Sequence, residues 1–518
     1  MKLSVILLLG LLAAGAPVQN TYTNPVLFAD YSDPDVIRVG DDFYLVASSF
    51  CNVPGVPVLH SRDLVHWEII AHAVPRLPSP RYDRPQHGNG IWAPSIRFHA
   101  GEYWIYYGDP DLGLFLVKAR HPAGPWDPPL LVRPARGWID PCPFWDDDGQ
   151  AWLVHAWAKS RAGFNSILTL HRMNADGTRI LDEGVTVFDG HAQHPTIEGP
   201  KIYKREGWYY IFAPAGGVKP GWQTVLRARS ILGPYEDRIV LEQGSTAING
   251  PHQGGWVETA AGESWFIHFQ DRGPWGRLLH LEPMQWREGW PAMGADLDGN
   301  GIGEPVSCWT TPALPLFRAE IPAADDFDTP SLGLQWQWPA NIDSSCFSLR
   351  DAPGFLRLHA RPAPDSGASL WLLPGVIGQK FPAPPFAAEV KLQLHAHFSG
   401  EQAGMVIFGT DYACLSLRKE DPGYRLEERI CRAAEQGGGE EIAAEVTLEQ
   451  PEIFLRVAVT SDAVCAFMYS VDGRAYTSIG REFTACPGKW VGAKIGLFAR
   501  GSSGGYADFD FIHFAGRP

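Results

Sequence analysis

Basic residues are in short supply in this 518-residue chain: 43 Lys and Arg stand against 58 Asp and Glu, a formal net charge of −15. So acidic a surface repels phosphate backbones, which argues against nucleic acid as a partner. Long apolar runs are missing too. The one candidate, Leu3 to Leu12, is shorter than the roughly 20 apolar residues of a membrane-spanning helix. Lys2 precedes it and Ala14-Gly15-Ala16 follows, so residues 1–19 read as a signal peptide. The remainder is expected to be secreted or periplasmic, without a membrane span. Cysteine is sparse and unpatterned. Of 8, three precede residue 310 (Cys51, Cys142, Cys308) and five follow (Cys346, Cys414, Cys431, Cys465, Cys486), so neither half can pair completely. There is no C-x-x-C and no zinc-ligand spacing, and most of these thiols read as small buried apolar residues. Long helical periods are absent as well. Gly437-Gly438-Gly439 is followed by no helix start, so it reads as a loop tip and not a phosphate cradle.

Gly (55), Pro (44) and Trp (20) are plentiful, and aromatics make up 12% of the chain. A length of 518 residues exceeds one ordinary core and implies two domains. Up to about residue 280 one pattern recurs five times: a residue before Pro, a strand, a turn with Gly, and a returning aromatic strand. The prolines are Pro34, Pro94, Pro141, Pro200 and Pro251, spaced 60, 47, 59 and 51 residues apart. Periods of this size mark a solenoid or a propeller, and hairpins without helices favour the propeller. Gly124-Pro125-Trp126 and Gly233-Pro234-Tyr235 supply further turns for outer strands. After about residue 325 the pattern changes to clean alternation, as in residues 389–394 and 454–459, which is the signature of a β-sandwich. The fold class is therefore all-β, a five-bladed propeller followed by a sandwich. Expected boundaries are 1–19 for the signal, 20–318 for the propeller and 319–518 for the sandwich.

A propeller points equivalent positions of its inner strands into one axial pocket. Asp33 and Asp140 occupy the same slot before Pro in repeats one and three, and Glu198 lies two residues before Pro200 in repeat four. Converging carboxylates repel, so some must hold a proton. Glycoside hydrolysis needs such a set: an acid for the leaving oxygen and a carboxylate for water or the sugar itself. The competing reading is an Asp-Pro turn capped by its own side chain. Asp35 shares the strand parity of Asp33 and is the main rival; Asp30 lies outside the slot.

On Asn24-Pro25-Val26, Tyr31-Ser32-Asp33-Pro34-Asp35, Ile91-Trp92-Ala93-Pro94, Ile139-Asp140-Pro141-Cys142-Pro143-Phe144, Ile197-Glu198-Gly199-Pro200 and Gly250-Pro251-His252-Gln253, the first domain resembles glycoside hydrolase family 43. The resemblance implies a five-bladed propeller that inverts anomeric configuration. It implies Asp33 as general base, Glu198 as general acid, and Asp140 as the modulator that raises the acid's pKa. Asp326-Phe327-Asp328 and residues 332–338 resemble the concanavalin A-like, lectin-type sandwich of β-xylosidase-type members. In some of these a sandwich loop closes part of the pocket. The implied activity is removal of single xylosyl or arabinofuranosyl units from the ends of arabinoxylan or xylo- and arabino-oligosaccharides. Trp92 and Phe50 offer faces for sugar stacking, with core packing as the alternative. Arg277 matches a substrate-binding Arg, with a surface ion pair as its alternative. His252 matches a central His that meets a calcium–water cluster in some relatives. Calcium prefers oxygen ligands, so a structural ion there is an option and no cofactor is required. Two other readings stay open: a retaining fructan or sucrose hydrolase, whose usual Asn-Asp-Pro-Asn opening is absent, and a carbohydrate-binding protein without catalysis.

Overall fold

The computed structural model describes residues 20–362, 369–502 and 504–516, so the signal-peptide reading of residues 1–19 lies outside it. The architecture is the one expected. Five four-stranded antiparallel meanders follow one another in chain order. Their inner strands are Asp35–Val39, Trp92–His99, Trp138–Trp145, Lys201–Arg205 and His252–Glu258. The second strands carry the aromatic returns and are the most buried; in Asp42–Val46, Leu45 and Val46 are fully enclosed. Each Val, Leu or Ile buried this way contributes about 1.5–3 kcal/mol. Outer strands such as Leu130–Pro134 are half wet. The described helices are single turns, of which Lys159–Ala162 is the one α-helical example among the described residues.

The repeated residue before Pro has a structural cause. All five slots have positive φ: Asp33 55°, Ala93 31°, Asp140 56°, Gly199 58° and Gly250 23°. Gly adopts this region freely and Asp more readily than most residues, whereas Pro following it adds strain. In two blades the register of the inner strand also slips here, between Trp92 and Ser95 and between Ile139 and Cys142; in blade five it slips just beyond, between His252 and Gly254. A bulge frees the slot from the ladder and turns its side chain toward the axis.

The ring closes through residues 20–31, which run beside blade five: Leu27 bridges Leu279, and the Tyr31 amide donates to the Arg277 carbonyl. Thr21–Thr23 pairs with Cys308–Thr310, so chain entry and exit are stitched together. Residues 311–324 contain no strand. Beyond them, an eight-stranded and a six-stranded antiparallel sheet form the sandwich. Phe386–His395 alternates buried and half-buried side chains, as its sequence requires. The sandwich grips blade one: Val53 forms a β-bridge with Trp338, and Gln337 Nε2 donates to the Pro54 carbonyl at 2.8 Å. All eight cysteines are free thiols, and Cys51, Cys142, Cys414, Cys431 and Cys465 are buried.

Candidate active site

Asp33 sits at the top of the inner strand of blade one, 7% exposed. Its Oδ2 accepts from Ser32 Oγ at 2.8 Å and from Ser48 Oγ at 2.6 Å. Arg277 Nη1 donates to Oδ1 at 3.1 Å and also to Ser32 Oγ. Three donors around one buried carboxylate supply the hydrogen bonds that its ionised form requires. Oδ1 keeps lone-pair capacity for a further proton donor. Ser48 Oγ also accepts the Ala93 amide at 2.7 Å, which ties the positions of blades one and two together.

Asp140 is buried at the same level in blade three. Its Oδ2 accepts the Gly199 amide at 2.8 Å and Gln253 Nε2 at 3.1 Å. Burial first, then the charges of Glu198 and Asp33, push its pKa up from 3.8 to about 7. Glu198 and Asp33 are therefore both close enough to act on Asp140. Glu198 is the most open, its side chain 28% exposed. His252 Nε2 lies 2.9 Å from Glu198 Oε1, and Oε2 has no hydrogen bond among the described residues. Asp140 thus holds a proton to near neutrality. Folding favours the neutral form of Asp140, so the stability this group supplies is present below its ordinary value of 3.8 and is lost as pH rises through about 7. Asp140→Asn removes that loss. Thermal melts should show the variant gaining on wild type from about pH 4 to about pH 7, then levelling, by up to ~4 kcal/mol. A pH-independent difference would refute this account.

Arg277 is buried, its backbone amide donating to Asp30 Oδ1 at 2.8 Å. Asp30 Oδ2 accepts the Gly492 amide of the sandwich at 3.0 Å. Gly492 has no side-chain room: a Cβ there would stand 2.7 Å from the Gly276 amide nitrogen. This clamp holds Trp490 over the propeller, edge-on to Trp92 at 6.2 Å and with the Arg277 guanidinium 6.0 Å from its ring centre. Trp490 is 46% exposed and lines a cavity of about 310 Å³ with Lys219, Asp271 and Arg277. Trp92 is half-buried, anchored by its Nε1 on the Gly88 carbonyl at 2.9 Å. Phe50, 3% exposed, packs edge-on against Trp92 and braces it from behind.

Asp35, the rival carboxylate, is fully buried; its Oδ2 pairs with Arg97 at 2.7 Å and accepts the Ile96 amide, a structural role. His252 Nε2 is taken by Glu198, and its buried Nδ1 has no hydrogen-bond partner among the described residues. A cation is already buried at the axis: Lys201, fully enclosed and without a hydrogen-bond partner for Nζ, acts on the charge of Asp140. Ser32, Ser48, Gln253, Lys201 and Trp490 went unread in the sequence. Gln253 lies at the bulge of the inner strand of blade five, three residues beyond the slot, with φ 49°. Trp490 had no local signal, because its position is set by contacts more than 200 residues away in the chain.

The model of glycosyl hydrolases family 43 matches residues 22–291, and that of the beta-xylosidase C-terminal concanavalin A-like domain matches residues 324–515. A putative beta-xylosidase of Xylanibacter ruminicola is 42% identical over 480 residues, covering 92% of this chain and 86% of that protein. A non-reducing end alpha-L-arabinofuranosidase of Bacteroides ovatus is 28% identical over 546 residues, covering 98% of each. The crystal structure of a xylan beta-1,4-xylosidase from Bacillus halodurans superposes with a TM-score of 0.85 at 26% identity, over 95% of this chain and 100% of that one.

Proposed function

The chain belongs to glycosyl hydrolases family 43, and on that premise we propose that it is an exported, inverting exo-glycosidase releasing xylosyl or arabinofuranosyl units from plant cell-wall oligosaccharides. The observation that carries this reading is the meeting of Asp33, Asp140 and Glu198 from three different blades, with one proton kept among them near neutral pH. Asp33, ringed by Ser32, Ser48 and Arg277, takes the proton of a water that attacks the anomeric carbon. Glu198 delivers its proton through Oε2 to the departing oxygen on the opposite face. The cycle closes when Asp33 releases the proton it gained to solvent and Glu198 takes one up from water, with the charge of the neighbouring Asp140 favouring the protonated acid. The names of the relatives, beta-xylosidase and alpha-L-arabinofuranosidase, support a terminal pentose as the unit removed. Export rests on the charged and apolar pattern of residues 2–16.

Trp490 packs edge-on to Trp92 and lines a cavity with Arg277, the residue that holds Asp33, so the sandwich contributes a wall beside the acids. Removing that wall should weaken binding more than chemistry: Trp490→Ala is expected to raise KM about tenfold, the equivalent of about 1.4 kcal/mol. Steady-state kinetics on xylo-oligosaccharides checks this, and an unchanged KM would remove Trp490 from the site.

Nitrophenyl xyloside and nitrophenyl arabinofuranoside, assayed side by side, test the activity itself. Proton NMR of the first product formed should show the anomer opposite to the substrate. Release of neither sugar, or a product of retained configuration, would overturn the proposal.

A further inference from the structure

We propose that blade five carries a structural zinc site built by His268, His280 and Glu282, separate from the catalytic pocket. Among the described residues this is the one group of three metal-ligating side chains whose donor atoms all lie within 4.8 Å of one another. All three are buried, at 0%, 1% and 0% exposure. His268 and His280 are directly opposed across two strands, and Glu282 follows His280 by two residues on the same face. The two imidazoles stack with centroids 5.4 Å apart.

Their hydrogen bonding is incomplete in a way a cation would mend. His268 Nδ1 lies 3.1 Å from the Phe269 carbonyl and so carries the hydrogen, which leaves Nε2 a bare lone pair. That lone pair faces Glu282 Oε1 at 3.2 Å, acceptor against acceptor. A proton between them would satisfy this pair. It would leave His280, both of whose ring nitrogens lack any partner in a fully enclosed setting, and such orphaned groups are rare in folded chains. One divalent ion takes a lone pair from each of the three side chains at once. The second shell is also present: the Phe269 carbonyl orients His268, and Glu282 accepts from the Val306 amide at 2.9 Å and Asn24 Nδ2 at 3.4 Å.

Two His and one carboxylate are a borderline-soft set that suits zinc and not calcium or magnesium. Tetrahedral zinc wants its ligands about 3.4 Å apart, so the cluster must tighten on binding. His280 has no hydrogen bond to give up when it turns. Asn24 lies where the chain enters the propeller and Val306 where it leaves. The ion would therefore brace ring closure.

The test uses the full chain without a polyhistidine tag, stripped with chelator, incubated with zinc and desalted. Elemental analysis should find about one zinc per chain, and zinc should raise the melting temperature by a few degrees. Cobalt(II) in its place should give the visible absorption of a four-coordinate ion. His280→Leu, which removes no hydrogen bond, should keep its circular dichroism and lose the zinc at least tenfold; Glu282→Gln is the second variant should the first misfold. A wild-type chain that retains no zinc and shows no thermal shift would overturn the site. So would a folded His280→Leu chain holding as much zinc as wild type.

Discussion

Asp33→Ala is expected to cut kcat by about 10³- to 10⁴-fold on every substrate, because water attack loses its base whatever the leaving group. Glu198→Ala should behave differently. On xylo-oligosaccharides, whose departing oxygen must be protonated, the loss should again reach about 10³-fold. On nitrophenyl glycosides the leaving phenolate is stable unprotonated, and the loss should shrink by an order of magnitude or more. The contrast separates the two roles in a way that bare inactivation does not. It rests on geometry: the Asp33 carboxylate is buried among donors, and Glu198 is open with one unoccupied oxygen. Equal losses for both variants on both substrate types would break the assignment. The alkaline limb of the wild-type kcat/KM profile should fall near pH 7, where Asp140 gives up its proton.

The second large effect belongs to Arg277. Its Nη1 is 3.1 Å from Asp33 and both side chains are under one-tenth exposed. Breaking a buried pair by removing one partner costs about 3–5 kcal/mol, since the remaining charge is stranded. Arg277→Ala should therefore lower kcat/KM by at least about 10²-fold. Arg277→Lys keeps the charge but loses the planar fork that reaches Ser32 and Asp33 together, and should fall between. An unchanged kcat/KM in Arg277→Ala would show that Arg277 does not govern Asp33.

Much of this was legible beforehand. Five prolines at near-even spacing implied the blade count, and alternation in residues 389–394 and 454–459 implied the sandwich. Repeat logic also drew Asp33, Asp140 and Glu198 together, because a propeller converts sequence equivalence into spatial convergence. What periodicity could not supply was the reason for the slot, a left-handed backbone before Pro. Nor could it separate Asp35 from Asp33. Both are buried, and only a long-range partner, Arg97, makes one of them structural. Calcium at His252 followed from likeness alone. Contacts between the domains were the least readable, since Gly492 and Asp30 are separated by 462 residues.

That last contact limits how this enzyme can be rebuilt. Modules on flexible tethers are traded freely between proteins, because nothing on either side notices the exchange. Here a swapped module would leave Asp30 half-satisfied beneath the reaction centre and Trp92 without its cover. The two halves are bound to travel as one inheritance, and a minimal catalyst made by cutting at the linker would be a damaged one.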